Sequence, residues 1–308
     1  MPGKKKTVAL ALLLLLVGVG FTGAAVFRAA VTAATDAATE QAFVDKVRSG
    51  DADAVNQFLD SGLSPNTRDP KDAQRATVLM IAATRGHENV VQTLLRRGAS
   101  PNATSLDGST ALKWAAYHGR NSVVEILIAY GADVNAADSS GAPPLIFALS
   151  KRRSDVALML LNSGADPNAR RKQDSTPLIY TVATKQMAVT RTLLDKGANP
   201  NLWDKEKRTP LIFAALTKDL ETAKLLLDRG ANVNAKDHLG QTPLMIAVDR
   251  NDLALTRLLL DRGAHVNLMD NKKASAFKRA KARGLTEISE LLLAKGSKEE
   301  KKRANTWP

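Results

Sequence analysis

Seven glycines stand 33 residues apart, at Gly98, Gly131, Gly164, Gly197, Gly230, Gly263 and Gly296. Each closes a Leu-rich run, as in Leu225-Leu226-Leu227-Asp228-Arg229-Gly230-Ala231-Asn232-Val233-Asn234-Ala235. A second signal keeps the same interval. Thr-Pro-Leu opens at Thr176, Thr209 and Thr242, with weaker copies at Thr77-Val78-Leu79, Thr110-Ala111-Leu112 and Pro143-Pro144-Leu145. A fixed period of about 20–50 residues marks a supersecondary unit that cannot bury its apolar face alone and is stacked on copies of itself. The chain is therefore one elongated array in which each unit contacts its neighbours, whatever its 308 residues would imply for ordinary domains.

One unit can be read residue by residue. Thr110 is placed to cap a helix with its hydroxyl, and in other units Pro occupies the first helical position, where its missing N–H costs nothing. Small Ala115 and Ala116 allow close approach of neighbouring helices. Gly119 turns the chain, Val123 to Ile128 form a second apolar helix, and Gly131 ends it. Period and wording together resemble the ankyrin repeat over roughly residues 42–296. The resemblance implies an all-α ankyrin-repeat solenoid of about eight helix-turn-helix units, counting the caps, joined by hairpin-like loops.

The N-terminus departs from this pattern. Lys4, Lys5 and Lys6 precede residues 7–27, which carry no charge and include Leu12 to Leu16. Such a stretch is long enough to cross a ~30 Å hydrocarbon core as a helix. It reads either as a signal anchor or as a cleaved signal peptide, with Thr22-Gly23-Ala24 and Val31-Thr32-Ala33 as small-residue cleavage positions. Both readings place the repeats outside the cytoplasm, in the envelope, periplasm or medium, because basic residues stay inside. The expected organisation is an N-terminal hydrophobic helix at 1–28, an Ala/Thr-rich stalk or helix at 29–41, the solenoid at 42–296 and a disordered charged tail at 297–308 containing Trp307. There is no Cys, which excludes disulfides and thiolate chemistry. The net charge of +13 bears on association rather than on fold.

Several positions differ from the ankyrin wording. The family's His after Thr-Pro-Leu is replaced by Met80, Lys113, Ile146, Ile179, Ile212 and Met245, so the polar link between units gives way largely to apolar contact. The helix-turn Gly survives at Gly50, Gly86, Gly119 and Gly284 but becomes Arg152, Lys185, Lys218 and Asn251 in the middle of the array. Turns there are expected to be looser or differently shaped, since side chains disfavour the left-handed region. The hairpin Gly is lost to Asp174 and Lys207. Trp114, Phe147, Tyr180 and Phe213 are assigned to the family's buried Leu position and so to the core.

No catalytic set is legible. His87, His118, His238 and His265 share no metal-ligand spacing, and there is no nucleophile elbow or phosphate-cradling loop. Asp133 and Asp166 recur after Gly-Ala as turn residues, and His265 takes their slot as a surface variant. No catalytic, cofactor or metal site is expected. Recognition is the alternative, because the resemblance implies that hairpin tips and first-helix ends line a concave surface. The tip candidates are Arg170, Arg171 and Lys172 beside Trp203, Lys205, Lys207 and Arg208, followed by His238 and Leu239, with Tyr117 at a helix end. Trp amid Arg and Lys has the composition of an interface anchor; the other reading is a solvated basic edge. The expectation is a monomeric, non-enzymatic scaffold for a protein partner, touching the membrane through residues 7–27. A binder of acidic lipid, glycan or nucleic acid is the alternative, with nucleic acid disfavoured by export.

Overall fold

The computed structural model describes residues 22–171 and 175–297, with side chains from residue 36. Sixteen helices lie among the described residues and pair into eight units. They are α1 Thr22–Ser49 with α2 Ala52–Asp60, α3 Val78–Arg85 with α4 Glu88–Arg96, α5 Ala111–His118 with α6 Asn121–Ala129, and α7 Pro144–Ser150 with α8 Ser154–Asn162. The remaining pairs are α9 Pro177–Ala183 with α10 Met187–Asp195, α11 Pro210–Leu216 with α12 Leu220–Asp228, α13 Pro243–Asp249 with α14 Leu253–Asp261, and α15 Ala276–Ala282 with α16 Thr286–Ala294. Most of the apolar segment 7–27 lies outside the described residues, as do Lys172, Gln173, Asp174 and the tail with Trp307. From Thr22 the chain is one 28-residue helix that becomes the first helix of unit one. Among the described residues no helix is long and apolar enough to cross a membrane.

The first helices begin as their caps dictate. Thr77, Thr110, Thr176, Thr209, Thr242 and Ser275 each accept the backbone N–H three residues on, at 3.2–3.4 Å. Such a cap is worth about 1 kcal/mol. Pro at the start of α7, α9, α11 and α13 presets the first turn. Within each helix one face is fully buried, through residues such as Leu112, Ala115 and Ala116, and it packs on the next first helix.

The middle turns are not looser. Arg152, Lys185, Lys218 and Asn251 take the left-handed conformation, with φ between 50° and 56°. The N–H that follows each of them closes the same bond as in the Gly units. Arg120 N–H reaches the Ala115 carbonyl at 3.0 Å, and Arg153, Gln186, Asp219 and Asp252 N–H groups reach their counterparts at 2.8–3.0 Å. The reason Gly persists at some turns lies in the next unit. A Cβ on Gly119 would stand 2.7 Å from Arg153 Cδ, and one on Gly86 would stand 2.9 Å from Arg120 Cδ. Where the facing residue is Gln186, Asp219 or Asp252, a side chain is accommodated at the turn.

A polar ladder runs along the opposite loops. Asn102 donates to the Gly131 carbonyl at 3.0 Å and accepts from Asp133 N–H at 2.7 Å. Asn135, Asn168, Asn201 and Asn234 repeat the pair of bonds into the unit that follows. The former His position is apolar and buried at Met80, Ile146, Ile179, Ile212 and Met245, as expected from sequence. Inter-unit polar contact has not been given up; it sits in the Asn row. Left-handed geometry costs a non-Gly residue about 1 kcal/mol, so Lys218→Gly is expected to raise stability by up to that amount. Gly119→Ala is expected to lower it by at least as much, because Arg153 must also move. Urea denaturation of the two variants checks this pair of opposite signs.

Candidate functional site

The hairpin tips are locked to one another by backbone. Ser139 N–H donates to the Asp107 carbonyl at 2.9 Å, His238 N–H to Glu206 at 2.9 Å and Asn271 N–H to Leu239 at 3.0 Å. The tips at Asp138, Asp204, Asp237 and Asp270 are also braced from inside by that Asp. Asp204, buried beneath its tip, accepts the N–H groups of Glu206 and Arg208 at 2.9 Å, and Asp237 and Asp270 do the same in their tips.

The tip residues singled out from sequence are brought together only in part. Arg170 donates to the Trp203 carbonyl at 2.5 Å, so the tips bearing Arg170, Arg171 and Trp203 are adjacent. The Trp203 ring stays 52% exposed, beside exposed Lys205 and Lys207. Arg208 turns inward. Its guanidinium chelates Asp204 at 2.7 and 2.8 Å and covers the Phe213 ring at 4.7 Å. His238 pairs with Glu206 at 3.2 Å, and Leu239 is 47% exposed one tip further on. Lys172 lies outside the described residues. Tyr117 lies at the end of α5, as expected for a helix-end position, in a ring cluster of its own.

That cluster corrects the assignment of the aromatic residues. Trp114, Phe147, Tyr180 and Phe213 are half-buried, not core; the buried Leu position is held by Leu112, Leu145, Leu178 and Leu211, two residues earlier. Two residues along a helix turn the side chain by about 200°, which carries these rings to the groove face. Tyr117 meets Trp114 edge-on at 6.0 Å, His118 at 5.0 Å and Phe147 at 6.4 Å. Lys151 places its ammonium 4.6 Å over the Tyr117 ring. Beneath them Lys113, in the former His position, is 5% exposed. Its Nζ donates to Asp138 at 2.7 Å and Ser109 at 2.6 Å and lies 4.4 Å from the Phe147 centroid.

The electrostatics follow from this packing. Burial works against the charged form of Asp138, but hydrogen bonds from Lys113, Ser140 and the Ala142 N–H, with the Lys113 charge, outweigh it and hold its pKa below the usual carboxylate range. Asp107 is lowered in the same way, burial being overcome by Ser105, Ser109 and Lys113. His118 is pushed below the usual imidazole value, first by burial and then by the charges of Arg120, Arg153 and Lys151. Among the described residues no group of His, Asp or Glu could hold a metal ion.

Family models described as ankyrin repeats match residues 43–138, 79–171 and 145–237, and a further one matches 226–280. The chain belongs to the ankyrin-repeat family. None of the curated proteins searched matches it. Among solved structures it is similar to the crystal structure of the human ASB11 ankyrin repeat domain, at 24% identity and a TM-score of 0.59, over 73% of this chain and 100% of that one. At that identity the likeness speaks for the fold. Ankyrin repeats mark a protein–protein interaction scaffold.

Two features of this ankyrin array have a signal in the sequence that a reading by sequence alone does not assign. The Asn ladder was visible as Asn at 102, 135, 168, 201, 234 and 267, again 33 apart. The ring row was visible as Trp114, Phe147, Tyr180 and Phe213 at that interval, but it requires the helix phase to be assigned. Asp138 and Asp107 bind protons less tightly folded than unfolded, so their contribution is present above about pH 4 and lost as pH falls through their lower folded values. With Lys113→Met those folded values move toward the unfolded ones. The acid limb of a urea-midpoint profile is then expected to be shallower than in wild type; superimposable limbs would contradict the role given to Lys113.

Proposed function

We propose that this chain is a non-enzymatic scaffold that presents a preformed edge of hairpin tips to a protein partner. It is held at a membrane by residues 7–27, or released beyond it if they are cleaved, with the repeats outside the cytoplasm and Lys4 to Lys6 inside. The array acts as a monomer. Carrying the proposal is Trp203, a large apolar side chain 52% exposed on a tip that is tied to the following one by the backbone bond from His238 N–H to the Glu206 carbonyl. A rigid aromatic beside Lys205, Lys207, Arg170 and Arg171 loses little conformational freedom on binding, and covering it removes apolar surface from water. Leu239, on a following tip, extends the apolar contact.

Binding of a purely anionic surface is the weaker reading at this edge. Arg208 already spends its guanidinium charge on Asp204, and Arg170 is held against the Trp203 carbonyl. Affinity capture from a membrane fraction tests the proposal. The wild-type chain is expected to retain a protein partner that the double variant Trp203→Ala, Lys205→Glu loses by at least tenfold. Equal capture by the double variant removes the tips from the interface. Capture abolished by moderate salt alone would favour the anionic reading.

A further inference from the structure

The groove face of the first helices carries a second surface, distinct from the tips. Ile81, Trp114, Phe147, Tyr180 and Phe213 stand 33 apart, one per unit, and all five are half-buried. The next residue at this register, Ile246, is buried, and the one after it is Arg279, which is bonded to Asp249 and Asp270 and closes the row. The row is thus open over five units and shut at its C-terminal end.

Two flanks border it, and their charges differ. On the hairpin side the carboxylates are consumed within the fold. Asp69 pairs with Arg48, Asp138 and Asp107 with Lys113, and Asp204 with Arg208. On the helix-turn side cations follow one another, Arg85, Arg120, Lys151, Arg152 and Arg153. None of these five pairs with a carboxylate among the described residues. Arg120 and Arg152 reach only backbone carbonyls, those of Thr84 and Thr184 at 3.1 and 3.0 Å. The groove is therefore an apolar floor with one uncompensated positive wall.

The spacing of the floor says what conformation suits it. Packed helices lie about 8–10 Å apart, so successive rings recur at about that distance. A polyproline-II chain has about three residues per turn and rises about 3.1 Å per residue, which puts every third side chain on one face at about 9 Å. A β-strand repeats a face at about 6.7 Å, out of step with the rings. A helical ligand offers apolar groups about every 5 Å, so that only alternate turns would meet a ring.

We propose that this row receives an extended, polyproline-II segment of a protein partner, with a bulky apolar side chain at every third position and acidic residues between. The proposal rests on the scaffold reading and adds the partner's chemistry. Apolar side chains rest against successive rings of the row, and the intervening carboxylates face Arg85, Lys151 and Arg153. An acidic lipid or a nucleic acid would use the cations but not the ring interval.

The probe is a fluorescein-labelled peptide of four Phe-Pro-Glu repeats, titrated into the full chain and followed by anisotropy. Wild type is expected to bind it at least tenfold more tightly than a peptide of the same composition with Phe at alternate positions, and than one with Lys for Glu. Lys151→Glu with Arg153→Glu is expected to cost at least tenfold, and Trp114→Ala a comparable factor, each with an unchanged far-UV circular dichroism spectrum. Trp203→Ala with Lys205→Glu leaves this binding unchanged. Absence of binding, equal affinity for the alternate-position peptide, or equal competition by anionic vesicles or an oligonucleotide overturns the proposal. If the peptide fails while Trp203-dependent capture persists, the groove assignment falls and the scaffold stands; if capture also fails, both fall.

Discussion

Neighbouring first helices share one register position of small residues, Ala82, Ala115, Ala148, Thr181, Ala214, Ala247 and Ala280, and none of these side chains reaches solvent. The small side chain sets how closely the helices approach, and everything else in the array inherits that distance. It brings each Asn within reach of the Gly carbonyl 29 residues on. It also brings the tips at Ser139, His238 and Asn271 within hydrogen-bonding reach of the ones before them. Even the exception obeys the constraint, since Thr181 returns its hydroxyl to the Leu178 carbonyl at 3.1 Å and leaves no unpaired group in the seam. A larger residue there would wedge two layers apart and break contacts on both faces, as overpacking does in any dense core.

The repeat, the caps and the helix pairs were legible because each depends on residues close in sequence. Thr209 capping Ile212 N–H needs only three positions to be seen. What was missed depends on phase or on partners a full unit away. The rings at Trp114 and Phe147 lie two residues from the buried Leu, a small offset in sequence and a half-turn in space. Arg208 read as a free cation, yet its carboxylate lies four residues back and under the tip. Lys218 read as a strained turn because side chains resist the left-handed region, but the bond that follows it, Asp219 N–H to the Ala214 carbonyl at 2.9 Å, is the same one that closes a glycine turn.

Positive charge on this protein is not evenly available. At the hairpin side the Asp residues that brace the turns also neutralise nearby cations, leaving Trp203, Lys205 and Lys207 as the exposed features. At the helix turns before α4, α6 and α8 no side chain caps the second helix, and Arg85, Lys151 and Arg153 meet no carboxylate among the described residues. The same repeat thereby yields two edges of different chemistry, an aromatic-led one and a cationic one, separated by a floor of rings. A preformed surface of this kind lowers the ordering cost of association, which is where a rigid stack has its advantage over a flexible loop.

That advantage requires the rows to hold their spacing in solution, and this is measurable because the chain has no Cys of its own. Ser150 and Ala282 share a register, are exposed, and lie four units apart. Spin labels on cysteines introduced at these two positions, read by pulsed dipolar spectroscopy, are expected to give one narrow distance distribution centred at about 32–40 Å, four intervals of packed helices. A broad or multiple distribution would mean that the units move relative to one another, and would contradict a preformed binding surface.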